Sequence, residues 1–243
     1  MKGNFFQGVY YFWQGALLIF HPGIRRYIFF PILINFILFA AIFVGMAWYL
    51  FGHFTDWTTD FPKWVLLLLG WLFWILYSAF VLIVGSFTFT LFTNLIASPF
   101  YGYLAEAVEK EKQPSGIITT PFSITHILWR EVIKISYFLP WLLLFAVLFL
   151  IPPLWPFMPF IIFFPTATFI AMQYIDYCPD NQGIPFKTVR AKLNEAWLTM
   201  IGFGSMVSLA MTIPGANLFV PPAAVAGGCI LWLNLQAGKD KRG

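Results

Sequence analysis

At 243 residues, 60% hydrophobic and 21% aromatic but only 10% charged, the chain is far more apolar than a soluble domain and reads as an all-α integral membrane protein. Its net charge of +4 is spread thinly over segment ends with no continuous basic face, a pattern that reports topology and gives no sign of nucleic acid as a partner. Cys178 and Cys229 lie far apart with no C-x-x-C, so neither a disulfide framework nor a zinc site is implied, and both read as small apolar residues.

From Asn4 to Phe20 the apolar side chains Phe5, Val9, Trp13, Leu17 and Phe20 recur at helical spacing, with Asn4, Gln7 and Gln14 on the other side. This segment is too short and too polar for a span. It fits an interfacial helix over 4–20 with its aromatics at headgroup depth, and equally a helix packed against the rest of the protein. No basic start or small-residue cleavage site precedes the first span, which is therefore expected to direct insertion itself. That span is the uncharged run from Tyr27 to Phe51, about 25 residues, long enough to cross a roughly 30 Å hydrocarbon core. Gly52 to Lys63 follows as a short loop on the far side, with Trp57 and Trp64 suited to the aromatic belt.

No charge occurs from Trp64 to Ala105, and the first strong breaker is Ser98-Pro99, so a second span over 64–97 is expected to cross and project beyond the membrane. Glu106 to Lys134 is the most polar stretch, with Gln113-Pro114-Ser115-Gly116 as a turn. Two more apolar blocks follow, 135–175 and 196–238. The first is broken by Pro152, Pro153, Pro156 and Pro159, the second by Pro214-Gly215 and Pro221-Pro222. Each reads as a hydrophobic hairpin with arms of roughly 17 residues, near 25 Å as helix, which is marginal for a full crossing. Re-entrant hairpins need protein or water around their irregular tips, and so imply a buried core or a homo-oligomer. The expected architecture is one membrane domain over 1–243: an interfacial helix, two full transmembrane helices and two Pro-broken, re-entrant hairpins. If both hairpins return to the side they left, the basic residues share one face and only Lys63 lies opposite, so the positive-inside rule makes that face cytoplasmic.

His21-Pro-Gly-Ile-Arg-Arg26 is electrostatically odd. Two arginines sit where a helix begins, although the free N–H groups already make that end positive. Pro22 suits a helix start, Gly23 lets a ligand approach the backbone, and Arg25 and Arg26 supply forked donors, together a cradle for an oxyanion. The rival reading is a pair of snorkelling anchors at a span end. Signatures of hydrolases, metalloproteases and nucleotide-binding loops are absent, so no enzyme activity, nucleotide or cofactor is expected. His21, His53 and His126 are isolated and read as interfacial polar positions. Glu106, Glu109, Arg130, Glu131 and Lys134 read either as a solvated loop with surface ion pairs or as groups lining or gating a polar pathway, with Glu106 close behind Asn94 and Ser98. Asn35, Gln173 and Asn217 suit interhelical hydrogen bonds or the same path. Asp176 and Asp180 read as turn and cap groups.

Several blocks are not set by hydropathy: Gly8 to Phe12 with Gln14-Gly15, Pro22 to Arg26 with Pro31, Ala97-Ser-Pro-Phe100 with Leu104-Ala-Glu106, Gln173-Tyr174 with Asp176-Tyr177 and Asp180-Asn181, Pro185-Phe186-Lys187, and Pro214 with Asn217-Leu-Phe219. In one register from Gly8 to Trp232, these resemble the CysZ family of bacterial inner-membrane sulfate permeases. The resemblance implies sulfate uptake across the inner membrane for cysteine biosynthesis, two full spans with two partly penetrating hairpins, and assembly as dimers or higher oligomers. It also implies that Gly23, Ile24, Arg25 and Arg26 bind sulfate, and it supports Glu106 as a pathway group. The expected mechanism is capture by the two arginines and the Gly23 and Ile24 amides, then passage by a water-containing core near Asn94, Ser98, Glu106 and Arg130. The rival class is a membrane scaffold whose hairpins bind partner helices.

Overall fold

The computed structural model describes residues 3–57, 62–113, 124–213 and 216–240, with side chains described except at 35, 54–57, 82, 84–99, 124, 127–128 and 238–240. The Pro114-Ser115-Gly116 turn, Asp60, Pro214-Gly215 and the side chains of Asn35, Asn94 and Ser98 lie outside that description. Among the described residues the regular structure is helical throughout: α1 (Phe5–Leu18), α2 (Arg26–Trp57), α3 (Lys63–Lys112), α4 (Ile124–Phe149), α5 (Met158–Ile175), α6 (Tyr177–Asn181), α7 (Phe186–Glu195), α8 (Trp197–Met211) and α9 (Val220–Asp240). Five segments are long and apolar enough to cross a membrane: Arg26–His53, Lys63–Val81, Trp129–Phe149, Pro152–Asn181 and Val220–Ala237.

Proline placement explains the breaks. Pro152–Phe157 forms a 3₁₀ turn between α4 and α5, and Ala216–Leu218 forms another between α8 and α9, where Pro221 and Pro222 occupy the first turn that tolerates missing N–H groups. Ser98-Pro99 does not end α3, which runs on to Lys112. One proline removes a single ladder bond and kinks a helix, and the strong helix formers after it resume the ladder.

The helices form two compact units, Phe29–Pro99 and the remainder, Met1–Ile28 with Phe100–Gly243. In the smaller unit α2 and α3 pack as an antiparallel pair. Tyr77 donates its hydroxyl to the Phe43 carbonyl, and Phe51 lies against Phe73 and Trp74. Outward side chains such as Phe36, Trp48, Leu67 and Trp71 are bare, which suits hydrocarbon rather than water.

The larger unit is organised around α9, in which every residue from Val220 to Leu233 is buried. A helix apolar on all sides belongs in a core. Helix α1 lies across α8 and α9 through glycines: a Cβ on Gly8 would stand 2.1 Å from the Thr199 carbonyl oxygen, and one on Gly15 would stand 2.2 Å from that of Ala223. Asn4 caps α1 by accepting from the Phe6 amide, while its own N–H donates to Thr199 Oγ1 at 3.0 Å and thereby ties the helix start to α8. Helix α1 is thus packed against the rest of the larger unit. The outer face, with Phe6, Tyr10 and Leu17, remains bare.

Candidate functional site: the mouth of α2 and the polar core of the larger unit

Between α1 and α2 the chain turns sharply. The Ile24 and Arg25 amides both donate to the His21 carbonyl, at 2.9 and 3.0 Å, and the Ile24 side chain is only 1% exposed. Burial of Ile24 pins the turn from below. The Ile24 amide, expected as one of the anion's donors, is engaged within the turn, and the buried Ile24 side chain anchors that turn. Gly23 is different. Its amide makes no intramolecular hydrogen bond among the described residues, and a Cβ there would meet only His21 Nδ1, at 3.8 Å. No neighbouring protein atom demands glycine at this position, so its missing side chain leaves room for something from outside.

Arg25 and Arg26 are exposed, and neither forms an ion pair among the described residues. Arg26 donates to the Tyr27 hydroxyl at 3.0 Å and stacks 4.9 Å above that ring, which orients the fork without neutralising it. Two uncompensated guanidinium groups therefore flank an open amide at the positive end of α2.

Glu106, on the last turns of α3, pairs with Lys110, whose ammonium is held protonated by that hydrogen bond and also feels the Tyr27 phenol. This pair thus belongs to the neighbourhood of the α2 mouth. One turn on, Glu109 is 2% exposed, and burial pushes its carboxyl above the ordinary range, opposed in part by a hydrogen bond from Gln182 and reinforced by Glu106. Gln182 is a hub: its amide nitrogen donates to Glu109, and its oxygen accepts from Trp232 Nε1 at 3.0 Å and Gln236 Nε2 at 2.8 Å.

Arg130 occupies a third cluster. It grips Asp176 with two parallel bonds of 2.8 and 2.7 Å, donates to the Ile184 carbonyl at 2.9 Å and reaches Asp180 at 3.0 Å. Lys134, one turn later, bridges Glu131 at 2.6 Å and Asp176 at 3.2 Å, and Gln173 donates to Glu131. His126 lies 2.8 Å from Asp180. Arg130, Lys134 and Asp176 are all buried, so each charge depends on its partners. The guanidinium of Arg130 has its donors committed, and it acts as a clamp from α4 onto α6 and the loop after it.

Asp176 and Asp180, read from sequence as turn and cap groups, are thus the anionic half of a buried lattice. The missed signal was arithmetic: Arg130 and Lys134 are spaced i, i+4 just before the 135–175 apolar block, and Asp176 and Asp180 share that spacing just after it. Two apolar arms that return to the same side bring such pairs face to face. Asn94 and Ser98 lie on α3, where side chains fall outside the description, so the structure brings together Gly23, Ile24, Arg25 and Arg26, and separately the Glu106–Lys110 and Arg130 clusters.

Comparison with known proteins identifies the chain's relatives. The family described as sulfate transporter CysZ/etoposide-induced protein 2.4 matches residues 11–222. The chain belongs to that family. Among its relatives, a sulfate transporter CysZ of Pectobacterium atrosepticum is 36% identical over 97% of this chain and 89% of its own. One of Salmonella paratyphi A is 36% identical over 96% and 94%, and one of Salmonella typhimurium is 35% identical over the same shares. The CysZ resemblance read from the motifs is therefore shown, and it spans the α2 mouth and both polar clusters.

Proposed function

We propose that this protein takes up sulfate across the bacterial inner membrane, as a permease or channel supplying cysteine biosynthesis, and that the Gly23-Ile24-Arg25-Arg26 segment at the mouth of α2 captures the anion. The observation that carries this reading is the pair of adjacent guanidiniums without carboxylate partners beside an open glycine amide, in a chain aligned almost end to end with proteins named sulfate transporters. A dianion loses a large hydration energy on leaving water, and charge-assisted donors fixed at a helix N-terminus replace part of it. Burial of Ile24 holds those donors in place.

Beyond capture, Glu106, paired with Lys110, is the next pathway group in this reading, and Asn94 and Ser98 are assigned to the pathway from their sequence positions alone. Arg130 belongs to the wall of that route, where it holds Asp176 and Asp180. No nucleotide site enters the scheme, so movement follows the gradient of sulfate or of a coupled ion.

The membrane arrangement follows from lengths. Helix α8 has 15 residues, about 22 Å, below the roughly 30 Å needed to cross, whereas the apolar stretches of α4, α5 and α9 are long enough to cross. The short α8 arm and the proline-broken tips support reading the α4–α5 and α8–α9 hairpins as re-entrant, with the bare outer face of α1 at the interface and the basic ends facing the cytoplasm. Re-entrant tips require neighbours, which a homo-oligomer supplies.

Binding of labelled sulfate to the purified protein tests the capture site. Replacing Arg25 and Arg26 together with alanine is expected to abolish measurable binding while the helical signal and melting temperature stay unchanged. Unaltered binding in that variant removes the site.

A further inference from the structure

We propose that the cleft between α4 and α5 is a binding site for an anionic phospholipid, with one acyl chain in the cleft and the headgroup phosphate on Arg190 and Lys187 of α7. The cleft, of about 470 Å³, is walled by Ile135, Phe138, Trp141, Leu142, Pro165 and Phe169 among others, and Thr166 is the one hydroxyl among its lining residues. Both walls belong to segments long and apolar enough to lie in a membrane, so acyl chains are the material that surrounds it.

The charged end decides which lipid. Tyr137 lies one turn before Trp141 on the same face of α4 and packs beside the Phe186 ring at 5.5 Å. Over Tyr137 sits the Arg190 guanidinium, 4.5 Å from the ring centre. Helix α7 buries Phe186, Val189 and Leu193 and turns Lys187 outward. Neither Lys187 nor Arg190 makes an ion pair among the described residues. The arrangement is a short amphipathic helix whose arginine is held over Tyr137, the residue next to Phe138 and one turn from Trp141, both of which line the cleft. Stacking leaves the edge of the guanidinium, where its donors are, free for a phosphate. Net negative charge on the lipid is favoured because two cations converge there with no carboxylate to answer them.

The test uses the purified full chain in mild detergent, with phosphatidylglycerol and phosphatidylcholine of identical acyl chains, read by native mass spectrometry and by lipid-dependent shifts in melting temperature. Phosphatidylglycerol is expected to be retained over phosphatidylcholine by on the order of tenfold, the effect of two cations near a membrane surface. The K187A/R190A double variant is expected to lose that preference, and R190K to keep most of it. Leu142→Trp, which fills the cleft, is expected to reduce retention of both lipids. Equal retention of the two lipids by the unaltered protein overturns the proposal without any variant, as does a dimer whose contact covers the cleft and excludes lipid. Neither readout involves sulfate, so failure here leaves the transport reading untouched.

Discussion

Arg25 and Arg130 show how differently one residue type is used within a single unit. Arg130 is nearly sealed from solvent and satisfied on every side, whereas Arg25 stands in the open with no partner among the described residues. Removing one member of a buried pair strands the other charge, so Arg130→Ala is expected to destabilise the protein by about 3–5 kcal/mol, measured as loss of detergent-solubilised monodisperse protein and a lower melting temperature. Conversely, a merely modest effect would mean that Asp176 finds water when the arginine is gone. Glu109 gives a pH-dependent counterpart. Its folded-state proton affinity is raised by burial, so the folded state binds protons more tightly than the unfolded one, and stability falls as pH rises from the ordinary carboxylate range through the raised value. Glu109→Gln keeps an oxygen to accept from Gln182 and removes the titration. Its melting temperature is expected to vary less with pH over that window than that of the parent chain. Residue by residue, the α2 mouth was legible because Pro-Gly followed by two arginines breaks the rule that like charges avoid the positive end of a helix. The Gln182 hub was not, because glutamine in a turn carries no hint of which helices will converge on it.

At the scale of elements, hydrophobic run length and proline position located the helices, and they did so because the membrane leaves few alternatives to a continuous ladder. Two features escaped. Helix α3 passes straight through Ser98-Pro99, since a proline's local cost does not outweigh the helical tendency on either side. Helix α1 packs on α8 and α9 by glycine contact, which amphipathic spacing alone did not separate from an interfacial position. Glycine contact is a demanding way to dock a helix, because backbone meets backbone and nothing can rotate aside. Gly15→Leu is expected to displace α1 and lower stability by about 3 kcal/mol, read as a reduced melting temperature and faster proteolysis near Phe20. The same substitution at Gly45, where nothing lies within 4 Å of an added Cβ, is the control and is expected to be neutral.

Taken whole, the molecule divides its charges by purpose. Buried cations within the larger unit are answered by carboxylates and hold returning helices together, while the exposed pair at the start of α2 makes no ion pair among the described residues and is proposed to receive an anion from outside the chain. That division is what a carrier of dianions requires: structural charges must be neutral as a set, and capture charges must not be. The family relationship names sulfate as the solute of the relatives, and the α2 mouth is the capture site proposed for it. A scaffold protein could keep such arginines as interfacial anchors, but it would move no solute. The deciding measurement is uptake of labelled sulfate into sealed vesicles containing only this purified protein, beside vesicles containing its R25A/R26A variant. Saturable uptake by the first and background uptake by the second is the result this account predicts; uptake at background in both, or equal uptake in both, contradicts it.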